Sequence, residues 1–270
     1  RQAMMFALDQ VSSKKKYKVL TPSFTCEVVP LYILKNNLKP IYYNVSPFEE
    51  INTENIISLI DDETCAVIIQ HSFGYQEDIA LLVEKLRETG IKVIEDKALC
   101  FASNRKSLPE LQGDFAYYSF ESSKSISCGM GGMLISNIES SESDQATNQP
   151  INSFFENLMI SFQTFLSILL YSNNFKIIQL IRRTFSLIGF LRKSVDREDL
   201  NIYLSPKKNT LTNYQKKILI FQLLKLNNNK KAVLSRLNYW ESILGNIIDR
   251  RYLDNTYPVR LPILVKNGDE

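Results

Sequence analysis

The sequence predicts an α/β fold: a three-layer α/β/α sandwich built on a mostly parallel sheet. Three observations predict it. Short apolar runs of strand character alternate with segments of helical spacing from Arg1 to Ile94. Two acids, Glu95 and Asp96, close the apolar run Val93-Ile94, and a carboxylate at a strand's C-terminal end is where an open α/β sheet places its site. An aromatic strand, Phe115 to Phe120, leads through a polar turn carrying Lys124 into the glycine cluster Gly129-Met130-Gly131-Gly132.

The elements follow in order. Met4, Met5, Ala7 and Leu8 have helical spacing, so Arg1 to Val11 reads as a helix, and the basic run Lys14-Lys15-Lys16 as a solvated loop. Tyr17 to Thr21 is a strand stopped by Pro22, Glu27 to Leu34 a helix, and Pro40 to Val45 a strand. Thr53 to Ile60 is a short helix with Asn52 or Thr53 as its cap, and Cys65 to Gln70 a buried strand. Glu77 to Thr89 is an amphipathic helix ending at Gly90, followed by a strand at 91–95 and, beyond the glycine cluster, the run Met133-Leu134-Ile135. Ser140 to Gln149 reads as an exposed loop. Tyr214 to Leu244 is long helical material, bent at Asn227-Asn228-Asn229.

Residues 150–193 differ in character. Asn157 to Phe175 carries no charge, and Arg182, Arg183, Arg192 and Lys193 follow. Ser161, Gln163, Thr164 and Ser167 interrupt the apolar run, which argues against a transmembrane span. We expect two helices packed on the body or on a partner subunit, with Leu158, Phe162, Phe165, Leu169, Ile177 and Leu180 among the contacts. Peripheral membrane contact through 150–193, aided by the basic flank, is the alternative.

Composition sets bounds on function. With 44% hydrophobic and 23% charged residues in 270, the chain suits a soluble globular protein with a sizeable core. The net charge of +3 comes with no dense basic stripe, so nucleic-acid binding is not suggested. Four separated cysteines and a single histidine argue against a disulfide framework or structural zinc site and point to reduced thiols in the cytoplasm. Beginning at Arg1 and stopping at Asp269-Glu270, the chain reads as a piece of a longer protein.

Lys124 has two readings. It is an ordinary loop lysine, or a partly desolvated amine able to form a Schiff base with a carbonyl. An Asp at a strand end with such a lysine further on is the pyridoxal-phosphate pairing, in which the carboxylate keeps the pyridine nitrogen protonated. Cys26 and Cys128 flank the proposed site and read as packing residues, and His71 reads as a packed structural histidine or as one lining the site.

These segments resemble the DegT/DnrJ/EryC/StrS family of sugar aminotransferases, of the aspartate-aminotransferase-like fold. The matching stretches are Leu20 to Thr25, Pro40 to Val45, Val67 to Gly74, Val93 to Ala98, and Gly113 through Lys124 to Gly132, in the family's order. The resemblance covers Arg1 to about Asn137, with a weaker match from about Asn213. It implies pyridoxal 5'-phosphate as cofactor, Lys124 as its attachment point and proton carrier, Asp96 on the pyridine nitrogen, Ser119 on the phosphate and Ala98 packed close to the ring. Ser119, read without the family, is a hydroxyl bonded locally in its strand. The resemblance also implies a nucleotide-linked keto sugar as substrate, glutamate as amino donor, a homodimer, and a role in amino-sugar or surface-polysaccharide biosynthesis. It divides the chain into a large domain over 1–210, with a helical insertion at about 150–195, and a truncated small C-terminal domain starting within 211–270. The phosphate-binding turn before the first helix would lie at or before Arg1.

The chain departs from the family pattern at Cys26, where a stacking aromatic is usual, and at Leu99, Met130 and Ser125. The departures at Cys26 and Leu99, with the apolar segment, favour a non-catalytic homologue with a regulatory or membrane-docked role as an alternative. Retention of Asp96 and Lys124 argues against it. A sugar dehydratase of the same fold is a further alternative, which Lys124 disfavours because those relatives carry histidine there.

Overall fold

A computed structural model describes residues 2–13, 15–46, 49–101, 111–138, 153–171 and 210–245, with 184 and 263 singly. Its strands are β1 (Lys18–Pro22), β2 (Lys39–Tyr43), β3 (Thr64–Gln70), β4 (Lys92–Asp96), β5 (Phe115–Ser119) and β6 (Gly132–Ser136). They form one sheet in the order β2-β1-β3-β4-β5-β6, parallel except for the β5–β6 pair. The predicted α/β class and mostly parallel sheet are therefore what is found. The order reverses between β1 and β3, so the sheet has a switch point there, and the C-terminal strand ends nearby are the expected place for a ligand.

Helices cover both faces. α1 (Gln2–Val11) and α2 (Val28–Lys35) bury Leu8, Ile33 and neighbours against Val19, Ile68, Ile94 and Tyr117. α3 (Thr53–Ser58) and α4 (Ala80–Arg87) bury Ile56, Leu82 and Leu86 against Leu20, Val67 and Val93 on the other face. Strand alternation causes this division, since successive residues point to opposite faces. Asn52 caps α3 by accepting the Asn55 N–H.

Beyond the sheet lie α5 (Phe154–Tyr171), α6 (Asn213–Leu224) and α7 (Leu226–Leu244). Thr212 and Gln215 form a capping box at the start of α6. α6 places Leu219 among Ala116, Tyr118 and Phe120, and the Gln222 side chain accepts the Ser127 N–H at 3.0 Å. The bend in the long helical stretch falls at Lys225, ahead of the asparagine run.

Of the two surfaces expected to receive α5, the body does not take its apolar stripe. Leu158, Phe162 and Phe165 are exposed, while Thr164 and Leu166 are buried. The polar residues face the body: Thr164 accepts from the Gln215 amide at 3.3 Å, and Ser161 donates to Thr212 at 3.4 Å. Hydrogen bonding to the α6 cap outweighs apolar burial in orienting the helix. Ile177 and Leu180, the side chain of Leu169, the loop at Ser140 to Gln149 and most of Tyr257 to Val265, where the family resemblance implies the first strand of the small domain, lie outside the described residues. Among the described residues no helix is long and apolar enough to cross a membrane.

Candidate active site

β3, β4 and β5 end side by side, with Gln70 in register with Asp96 and Asp96 with Tyr117. The two adjacent acids point to opposite faces. Asp96 follows Ile94 onto the face covered by α1 and α2, and Glu95 follows Val93 onto the other.

Asp96 is 6% exposed, and its Oδ1 accepts the Ala98 N–H at 2.9 Å. Burial raises its pKa, while the Ala98 N–H and the Lys124 ammonium favour the ionised form. Lys124, half-buried in the turn after β5, is thus close enough for its charge to act on Asp96. Its N–H bonds to the Glu121 carbonyl at 3.0 Å, which shapes the turn. Ser119 closes β5 on the same face, half-buried. The local side-chain bond its bare sequence suggested is not seen to any described residue.

Cys26 is exposed, which corrects its reading as a packing residue; Cys128 is buried, with its thiol on the Met130 carbonyl. Cys26 lies just before α2, where the chain turns out of the core. Beside it the Thr25 hydroxyl donates to Gln70 Oε1 at 2.7 Å, and Gln70 Nε2 donates to the Ser72 hydroxyl at 2.8 Å. Two buried hydroxyls on this side of the sheet, those of Thr21 and Tyr117, have no hydrogen-bond partner among the described residues.

Glu95 organises the opposite face. Its Oε2 lies 2.7 Å from His71 Nε2 and 2.9 Å from Lys97 Nζ, and its Oε1 accepts the Gln112 and Gly113 N–H groups at 2.7 and 2.8 Å. His71, Glu95 and Lys97 are all buried. Burial lowers the His71 pKa, so the ring is neutral, and its Nδ1 accepts the Glu77 N–H at 3.0 Å. The ring proton therefore sits on Nε2 and is donated to Glu95. Burial alone would raise Glu95, but the His71 bond, the Lys97 charge and the Gly113 N–H outweigh it and hold the carboxyl down at about 2. The His71 N–H also bonds to the Asp96 carbonyl at 3.0 Å, which fixes the main chain that carries Asp96.

Glycines hold the strand ends close. A Cβ on Gly113 would lie 2.8 Å from the Val93 carbonyl oxygen, and one on Gly132 would lie 2.5 Å from that of Tyr118. Asp114 next to it accepts the Val93 N–H at 2.8 Å, tying β4 to β5.

A cleft of about 280 Å³ opens at the ends of β1, β2 and β3, lined by Phe24, Tyr43, Asn44, Gln70 and Phe73 among others. Asp96 and Lys124 do not line it, although Gln70 borders both places. The structure thus brings Asp96, Ala98, Ser119 and Lys124 to one end of the sheet. Sequence reasoning missed Lys97, Tyr117 and the Thr25–Gln70 pair. For Lys97 there was a signal: alternation from Val93 through Glu95 puts it on the buried side.

The model of the DegT/DnrJ/EryC1/StrS aminotransferase family matches residues 1–149. The chain is 28% identical over 138 residues to GDP-perosamine synthase of Vibrio cholerae, a match covering 50% of this chain and 37% of that one. It is also 28% identical over 118 residues to dTDP-4-dehydro-2,3,6-trideoxy-D-glucose 4-aminotransferase of Saccharopolyspora spinosa, covering 43% of this chain and 31% of the relative. The matched stretch thus spans about a third of these curated relatives. Among solved structures, Helicobacter pylori PseC, an aminotransferase involved in the biosynthesis of pseudoaminic acid, superposes with a TM-score of 0.62 at 12% identity. That superposition covers 99% of this chain and 64% of PseC, and supports the fold. With more than half its length matched by the family model, the chain belongs to the DegT/DnrJ/EryC1/StrS aminotransferase family.

Proposed function

We propose that the chain carries the cofactor site of a pyridoxal 5'-phosphate-dependent aminotransferase acting on a nucleotide-linked keto sugar, with glutamate as amino donor, as a cytoplasmic homodimer. The relatives' names support the sugar-nucleotide class. The observation that carries the reading is that Asp96 closes β4 and Lys124 follows β5 at the same, C-terminal end of two adjacent parallel strands. The division into a large domain over 1–210 and the start of a small one over 211–270 belongs to this proposal.

The donor set fits the cofactor. A buried carboxylate suits a ring nitrogen, an amine lies within electrostatic reach of it, and two buried hydroxyls on the same side are unpartnered among the described residues. When bound, pyridoxal 5'-phosphate supplies the electron sink that stabilises negative charge at the substrate carbon bearing nitrogen. Asp96, ionised, holds the proton on the pyridine nitrogen. Lys124 Nζ would hold the cofactor and, as a free amine, would take up and return the proton at the substrate carbon. The Ala98 N–H keeps the Asp96 carboxylate oriented, and the small Ala98 side chain leaves room beside the ring. Ser119 is the proposed phosphate donor.

The test is Asp96→Asn in the full-length protein. The fold should persist while transamination slows by on the order of a thousandfold, because a neutral amide does not hold the ring proton as well. Near-normal turnover would reject the assignment.

A further inference from the structure

We propose that the cleft at the ends of β1, β2 and β3 is a separate binding site, for a small ligand of the amino-sugar class that carries an organic ammonium group. Asp96 and Lys124 do not line it, and the inference does not rest on the cofactor reading. The cleft's volume, its charge and its aromatic walls carry the proposal.

At about 280 Å³ the cleft has room for one small ligand rather than for a nucleotide-linked sugar. Its charge is one-sided. Glu49, Glu50 and Glu77 line it, and the described residues around it include no lysine, arginine or histidine. Glu49 and Glu50 are exposed, and Glu77 is half-buried. Burial first, and then the Glu77 charge, raise the pKa of the Tyr43 phenol, so the negative field reaches that wall as well. Such a lining repels a diphosphate and attracts a cation. The cleft is therefore no subsite for the anionic substrate proposed above.

The walls make that cation an organic one. A bare metal ion needs convergent oxygens, and among the described residues no group of three acidic, histidine or cysteine side chains could hold one. An ammonium group is drawn by carboxylates and aromatic faces together. Phe24, in the loop after β1, and Phe73, in the turn after β3, both line the cleft, with ring centroids 6.2 Å apart and planes tilted by 38°. Phe24 is 61% exposed, so a ligand resting on it would remove apolar surface from water. Phe73 has a φ of 57°, a left-handed backbone that a bulky side chain rarely adopts and that costs stability. The Thr25 hydroxyl bonds to the Gln70 amide, which bonds on to the Ser72 hydroxyl, so the neighbours of both rings are tied together and the pair is preformed. Asn44 and Ser46, on the same walls, offer hydrogen bonds to ligand hydroxyls.

The experiment titrates the full chain with glucosamine, and with glucose as the uncharged control, at slightly acidic pH where the amine is protonated. Backbone amides are followed by NMR. Glucosamine should give saturable shifts centred on Phe24, Gln70 and Phe73 that weaken as salt is added, and glucose should bind roughly fivefold more weakly or not at all. Phe24→Ala and the double variant Glu49→Gln/Glu50→Gln change exposed positions, so each should weaken glucosamine roughly fivefold with the melting temperature unchanged. Equal binding of glucose and glucosamine, or an unaltered glucosamine affinity in Phe24→Ala, would overturn the proposal. So would a chain that ignores glucosamine but self-associates in a way that Phe24→Ala abolishes, because the cation in the cleft would then be a side chain of a second copy.

Discussion

Glu95→Gln probes the cluster that fixes the main chain beneath the site. The Glu95 carboxylate accepts from four donors at 2.7 to 2.9 Å, with no exposure of its side chain or of the His71 and Lys97 side chains. An amide retains the shape and one acceptor oxygen, which can keep the Gln112 and Gly113 N–H bonds. Its NH₂ group, however, then faces the His71 N–H and the Lys97 ammonium, donor against donor. Removing one partner of a buried ion pair costs about 3–5 kcal/mol, because the other charge stays desolvated. For a chain of this size that lowers the melting temperature by on the order of 10 °C. Equilibrium urea unfolding followed by circular dichroism measures it, with a shifted midpoint and an unchanged slope. The double variant Glu95→Gln/Lys97→Met should recover much of the loss, since it removes the stranded charge. A single-variant loss below about 1 kcal/mol, or strictly additive losses in the double variant, would refute the reasoning.

Other outcomes follow from the same geometry. The Glu95 carboxyl sits below its ordinary 4.5, so the stability it contributes is complete above that pH and is lost as pH falls toward about 2; the acid limb of an unfolding titration should flatten in Glu95→Gln. Asp96 is raised from 3.8 by burial, so its ionisation costs stability as pH rises through the folded value, and Asp96→Asn should unfold no more easily than the parent at pH 7 while losing activity. Gly132→Ala would drive a Cβ to 2.5 Å from the Tyr118 carbonyl oxygen, so it should cost about 1–3 kcal/mol in denaturant unfolding and displace the β5–β6 turn that carries Lys124. Asn52→Ala removes the α3 cap and should cost about 1 kcal/mol in the same assay.

Much of this was legible because apolar periodicity and strand-end acids are strong local signals. β3 and β4 stand out as continuous buried runs, and Asp96 marks a site because it closes one of them. What separates Glu95 from Asp96 is the face each side chain takes, and that is fixed by the whole sheet. Lys97 shows the same limit. A lysine beside two acids looks solvated until Glu95 is seen turned inward with Lys97 1% exposed beside it. In α5 the sequence left open which surface receives the apolar stripe. Leu158, Phe162 and Phe165 form the apolar stripe and look like the buried side, but Ser161 and Thr164 find hydrogen-bond partners at the α6 cap and turn that stripe outward. Tyr117 was hidden for a different reason: its ring satisfies the strand pattern, and only the unpaired hydroxyl distinguishes it from a core aromatic.

The central claim is that Lys124 and Asp96 form one cofactor site. Borohydride reduction of the full-length protein loaded with pyridoxal 5'-phosphate, followed by peptide mapping, tests it most directly. The account predicts a single reduced adduct on Lys124, strongly diminished in Asp96→Asn at equal cofactor concentration. Label on any other lysine, or labelling of Lys124 unaffected by Asp96→Asn, would contradict it.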